Sequence, residues 1–304
     1  MSTLALLGSA LALATPLLLA ALGELLSERA GILNIGLEGL VLIGAFTGMV
    51  ACWMTGSPLV GMAAACGAAA VAGALFAFWV VTLDADQVVA GAAMNILAIG
   101  ATGVAYRAIF GITGSTLTVA TFEPVAIADD IAWLTPLRQP IPVYVALALV
   151  PAVWFVLFRT RLGLRLRAVG ESPEAAESLG MNVAGLRWMA IVAGSALAGA
   201  GGGYLSLVYA NTFVEGMSAG RGFIALAIVV FGRWHPAGVL AGALLFGAAS
   251  AAQFQLQAAG IDVSYQLLLM LPYVLTLAVL ALRAHSGNAP ASLGMQRSIG
   301  RGLD

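Results

Sequence analysis

The chain has 304 residues, 61% of them hydrophobic and 9% charged, with a formal net charge of −1. A mean hydropathy of +1.01 excludes an ordinary soluble globular domain, and repeated apolar runs of about 18 residues or more read as membrane-spanning helices. The net charge points to no partner. All 13 basic residues are Arg, and Cys52 and Cys66 lie in or beside apolar runs at no metal-ligand spacing, as small buried residues do.

The N-terminal run lacks the positively charged start of a signal peptide and reaches spanning length, so it reads as a retained first helix. Apolar segments follow near 36–54, 59–82, 88–110, 141–158, 188–210, 221–232, 237–252 and 264–283, after the first at 4–22. Helices are expected throughout, because lipid offers no partner to unpaired backbone groups and no two-residue alternation marks a barrel. Segments 221–232 and 237–252 are short for full spans and are separated by Gly-Arg-Trp-His-Pro, the pattern of half-helices or a tilted hairpin. The expected fold is an all-α polytopic bundle of about 8–10 helices, a single domain over 1–284. A polar, disordered tail is expected over 285–304. Glycine pairs at small-xxx-small spacing, Gly44/Gly48, Gly199/Gly203, Gly216/Gly220 and Gly238/Gly242, suit close helix packing.

Charge is concentrated in one place. Of the 27 charged side chains, eight fall in 159–187: Arg159, Arg161, Arg165, Arg167, Glu171, Glu174, Glu177 and Arg187. Five Arg in that loop, and Arg283, Arg297 and Arg301 beyond the last apolar segment, place both on the cytoplasmic side. The 111–140 loop, with Glu123, Asp129 and Asp130 against Arg138, is expected outside.

Within the charged loop, Ser172 is an N-cap, Pro173 fits the first turn, and Glu174, Ala175, Ala176 and Glu177 continue a helix stopped by Gly180. A helix of about two turns is unstable alone, so neighbours or a partner must hold it. Its ridge of Glu and Ala suits a groove on another protein; an ordinary solvated connection is the alternative.

Two further stretches carry polar groups at membrane depth. Residues 27–40 set Glu28, Arg29, Asn34 and Glu38 among Gly31, Gly36 and Gly39, either as an interhelical loop or as a broken segment lining a path. In 85–100, Asp86 and Gln87 mark a helix end, and Asn95 lies two turns further on. A buried Asn there bonds another helix or faces a polar pathway. No phosphate-binding loop, HExxH, paired-Cys or Ser/His/Asp set appears.

Three blocks carry a family resemblance: Glu28–Gly39, Thr160–Gly180 and Gly222–Pro236. With the apolar pattern of residues 20–283, the chain resembles permease subunits of bacterial ABC importers for branched-chain amino acids, ribose and simple sugars. It is most similar to the shorter permease of nucleoside uptake systems. The resemblance implies a multi-pass subunit of the cytoplasmic membrane with a cytoplasmic C-terminus and lipid around it. It also implies a second, non-identical permease, a cytoplasmic ATPase that binds the ATP and Mg, and an extracytoplasmic solute-binding protein, with no nucleic-acid partner. Such a chain holds no cofactor and is not itself an enzyme. Glu171, Pro173, Glu174, Ala175, Ala176, Glu177 and Gly180 would form the ATPase-coupling surface, and Asn34, Glu38, Gln87 and Asn95 the translocation path. A simple sugar is the alternative solute, and an ion-coupled carrier the rival class.

Overall fold

The computed structural model of the protein describes residues 3–111, 118–125, 138–258, 270, 274 and 289–295. These residues form ten α-helices, and their only β pairing is an isolated bridge between Pro124 and Pro140. The expected span at 264–283 lies outside the described residues apart from Met270 and Val274.

The helices are α1 (Thr3–Arg29), α2 (Leu37–Thr55), α3 (Pro58–Ala77), α4 (Gln87–Phe110), α5 (Ile141–Arg159), α6 (Arg161–Glu171), α7 (Pro173–Ser178), α8 (Val183–Tyr204), α9 (Arg221–Phe231) and α10 (Pro236–Ala258). A single π turn extends α3 to Thr82 and another extends α8 to Tyr209. Among the described residues, seven helices are long and apolar enough to cross a membrane. Local chemistry sets several starts: Pro58 opens α3, and Asp86 caps α4 by accepting the N–H groups of Val88 and Val89, each at 2.9 Å.

Two expected boundaries change. The first helix does not stop near residue 22 but runs to Arg29, carrying Glu24 and Glu28 inside the bundle. The segment expected as short at 237–252 is a 23-residue helix, because Gln253, Gln255 and Gln257 continue it past the apolar run. By contrast α9 has only 11 residues. At 1.5 Å per residue that is about 16 Å, roughly half the hydrocarbon thickness.

α1 is the centre of the bundle, packed against α8, α10, α9 and α5. Backbones approach closely where side chains are absent. A Cβ on Gly23 would lie 2.2 Å from the Gly194 carbonyl, and one on Gly44 would lie 2.4 Å from that of Gly199. The spaced glycines of α2 and α8 thus face each other, Gly44 to Gly199 and Gly48 to Gly203. Gly216 and Gly220 serve differently: with φ of 72° and 80° they turn the chain ahead of α9.

The α1 C-terminus, the 159–187 loop and the 232–236 turn share one end of the bundle, called here the loop end. The described parts of the 111–140 connection lie at the opposite end, where the Gln139 amide donates to the Gly8 carbonyl (3.1 Å) and the Val119 N–H to that of Asn211 (2.9 Å). Asp129 and Asp130 lie outside the described residues.

Candidate functional site

Between α1 and α2 the backbone of 30–36 is not helical, and its polar groups need partners at membrane depth. Side chains from α1 and α4 supply them. Glu24 accepts the Asn34 N–H (2.8 Å), and Gln87 Oε1 accepts the Leu33 N–H (2.8 Å). Two turns along α4, Asn95 donates to the Ile35 carbonyl (3.0 Å) and accepts the Gly39 N–H (2.8 Å). Residues 27–40 are therefore a composite: the last turn of α1, a bonded non-helical stretch, and the first turn of α2.

Glu38, in the first turn of α2, accepts the N–H groups of Gly220 and Gly222, both at 2.7 Å. It closes the N-terminus of the half-helix α9, where unpaired N–H groups and the helix dipole favour an anion. The four expected path residues converge on one feature: Gln87 and Asn95 hold the broken segment from outside, Asn34 lies within it, and Glu38 joins it to α9. Asn34 is 1% exposed and its Oδ1 has no partner among the described residues, whereas Glu38 and Asn95 are half-buried.

At the loop end the three sequence blocks meet. Trp234 donates its indole N–H to buried Glu28, and the Arg29 Nε donates to the Trp234 carbonyl (2.9 Å). Arg233 and Trp234 both have φ of 54°, which turns the chain sharply between α9 and α10. Guanidinium groups of Arg29 and Arg167 lie 5.7 and 4.9 Å from the Phe158 ring centroid, and His235 packs tilted against that ring at 5.2 Å. Glu24 and Glu28 are one helical turn apart, and Glu24 Oε2 and Glu28 Oε1 have no donor among the described residues.

The charged loop folds as two short helices. Ser172 caps α7 by accepting the Ala175 N–H (3.3 Å), Pro173 begins it, and Gly180 (φ 77°) ends it. Glu171, Glu174, Ala175, Glu177 and Gly180 are exposed and Pro173 is half-buried. Ala176 departs from the expected ridge. It is 2% exposed and packs against Val169 and Val183, so it anchors α7 from beneath. Leu179, 76% exposed, adds an apolar end to the outer ridge. α6 was not foreseen. It lies against the end of α1 so closely that a Cβ on Gly170 would sit 2.3 Å from the Arg29 carbonyl.

The tail departs from expectation over 289–295, which packs at the loop end with Ser292 5% exposed. Sequence reading also missed the pairing of Glu28 with Trp234. The available signal was the i, i+4 spacing of Glu24 and Glu28, which puts two carboxyls on one helix face.

Long apolar helices, a non-helical break between α1 and α2 and a charged helical loop at one end describe a multi-pass membrane protein. The family model described as the branched-chain amino acid transport system permease component matches residues 6–280, and the chain belongs to that family. It is 38% identical to the guanosine ABC transporter permease protein NupQ of Bacillus subtilis, over 91% of each chain. To the nucleoside ABC transporter permease protein NupC of Lactococcus lactis it is 37% identical, over 92% of each. The permease protein TsgC13 of Haloferax volcanii, named for a glucose ABC transporter, is 36% identical over 98% of each. No solved structure matches the chain.

Proposed function

We propose that this chain is one pore-forming permease of an ATP-driven importer that carries nucleosides across the cytoplasmic membrane. The observation that carries the solute is the similarity, over nine-tenths of each chain, to permeases named for guanosine and nucleoside transport. The loop end faces the cytoplasm, with the C-terminus on the same side, and a separate ATPase binding ATP and Mg docks on the outer ridge of α7. Glu171, Pro173, Glu174, Ala175, Glu177 and Gly180 form that contact, and Ala176 holds the ridge in place. An extracytoplasmic binding protein delivers solute, and a second permease completes the pore.

Movement of α7 reaches the path through α6, whose Gly170 bears on the end of α1. From there the 30–36 segment, Glu38 and the half-helix α9 form one bonded chain, with Gln87 and Asn95 anchoring it to α4. Asn34, Glu38, Gln87 and Asn95 thus shape the path wall by fixing its backbone.

The test is uptake of labelled guanosine by membranes holding the complete complex, with co-purifying proteins identified. ATP-dependent uptake that survives collapse of ion gradients, with an ATPase and a second permease recovered, supports the reading. Recovery of the chain alone, still transporting, would make it an ion-coupled carrier. The similarity to TsgC13 favours a second reading, a simple sugar as solute; competition of labelled guanosine by excess glucose separates the two.

A further inference from the structure

We infer that residues 289–295 form a C-terminal clasp that joins the coupling loop to the broken 30–36 segment, so that the two move as one body. The inference rests on the importer reading above for the word coupling, but its geometry stands on its own.

Ser292 is the centre of the clasp. Its main-chain N–H and its hydroxyl both donate to the Gly170 carbonyl, at 3.0 and 2.7 Å. That carbonyl lies in the last turn of α6, where helical carbonyls have no partner of their own. The neighbouring Ala291 N–H donates to Glu171 Oε2 (3.4 Å). One side of the clasp therefore closes the end of α6, directly before the cap residue of α7.

The other side reaches the 30–36 segment by two routes. A Cβ on Gly31 would lie 2.4 Å from Ser292 Oγ, and Gly31 has φ of 83°, so glycine is required both for space and for backbone. Three residues on, the Met295 carbonyl accepts from Gln87 Nε2 (3.4 Å), the same side chain whose Oε1 holds the Leu33 N–H. Ser292 is thus wedged between α6 and Gly31, and Met295 ties the start of α4 to the same place. Pro290 and Ser292 are buried, and Leu293 packs on the main core, so the segment is built into the loop end.

Apart from the clasp, α6 bears on this region where Gly170 meets Arg29 and Gly31, and Glu171 attracts the Arg29 guanidinium. A push on α7 would then reach 30–36 through the end of α1 alone, with no direct bond to the broken segment. With the clasp, the Gly170 carbonyl, Ser292 and Gly31 are in close, buried contact, and the longer bond from Gln87 to Met295 adds Leu33, which leaves little room for independent movement. Ser292 acts as a positioning residue and touches no solute.

The experiment compares the intact transporter with one whose chain ends at Asn288, in proteoliposomes, reading ATP hydrolysis, guanosine uptake and hydrogen exchange of the 30–37 amides. The expected result is retained ATPase binding and hydrolysis, uptake reduced about tenfold, and faster exchange at Ile32 to Leu37. Unchanged uptake and unchanged exchange would overturn the clasp, as would loss of the bound ATPase, which would make the segment a docking or assembly element. If the shortened chain fails to accumulate, full-length Ser292→Pro is read by the same criteria, since it removes both donors to Gly170. Absence of ATP-dependent uptake in the intact protein would instead sink the importer reading, while the exchange comparison still decides the clasp.

Discussion

Glu38 and Gly222 are in direct backbone contact: a Cβ on Gly222 would lie 2.5 Å from the Glu38 Cα and N, while Glu38 Oε2 accepts the Gly222 N–H at 2.7 Å. The glycine makes room for the residue that caps its own helix. This junction fixes where α2 begins and where the half-helix α9 begins, and the two cannot shift independently.

Gly222→Ala should therefore push α9 away from α2, and Glu38→Gln should keep the shape but weaken the cap. Loss of the charged acceptor costs about 1–2 kcal/mol at a helix N-terminus. Uptake should fall in both variants, with a lower unfolding temperature in detergent. An unfolding temperature unchanged in Gly222→Ala would show that the junction yields without cost.

In the 159–187 loop, Ala175 and Ala176 should behave oppositely. Ala176 is 2% exposed, so Ala176→Arg should disrupt α7 and lower the amount of protein in the membrane. Glu174→Arg with Ala175→Arg alters only the exposed ridge and should leave membrane levels normal while ATPase co-purification and uptake fall. Membrane fractionation with quantitative blotting separates these outcomes; equal membrane levels for both variants would count against the assigned burial.

Asn95 satisfies both an N–H and a carbonyl of the broken segment. Asn95→Leu leaves these groups without a partner, a loss of about 1–3 kcal/mol for each buried group. Translocation should fail while the ATPase still binds. Asn34→Leu should be milder in stability, because the bond to Glu24 uses the Asn34 main chain and not its side chain. A pull-down paired with uptake checks both.

Trp234→Phe removes the one donor to Glu28 Oε2 found among the described residues. A buried carboxyl then loses its partner, which should lower stability by about 1–3 kcal/mol. Glu28→Gln in the same background should restore part of it, since an amide brings its own N–H donors toward Glu24 Oε2, which has none among the described residues. Thermal unfolding of the two variants tests this, and equal unfolding temperatures would refute it.

Residues close in sequence announced much of this protein. Length and apolarity marked six helices that the structure also makes long enough to cross a membrane. Ser172, Pro173 and Gly180 declared the start and stop of α7, because capping and the left-handed stop are interactions within a few residues. The eleven-residue stretch at α9 showed its half-length directly. The full length of α10 was hidden, since its glutamines interrupt the hydrophobicity without interrupting the helix.

Tertiary structure alone decided what those elements do for one another. Gln87 meets Leu33 across 54 residues, Trp234 meets Glu28 across 206, and Ser292 meets Gly170 across 122. No local spacing encodes such pairs. A polar side chain in an apolar run states that it needs a partner, but only packing says which backbone group arrives there. The same holds for Ala176 and for 289–295. Alanine is indifferent to exposure, and a short polar tail has too little apolar surface to declare a docking site. The sequence by itself thus determined a membrane bundle and the short helix α7, through rules acting over one or two turns. The fold then determined how the 159–187 loop, the half-helix and residues 289–295 are joined, through contacts that exist only once α1, α4, α6 and α9 are assembled.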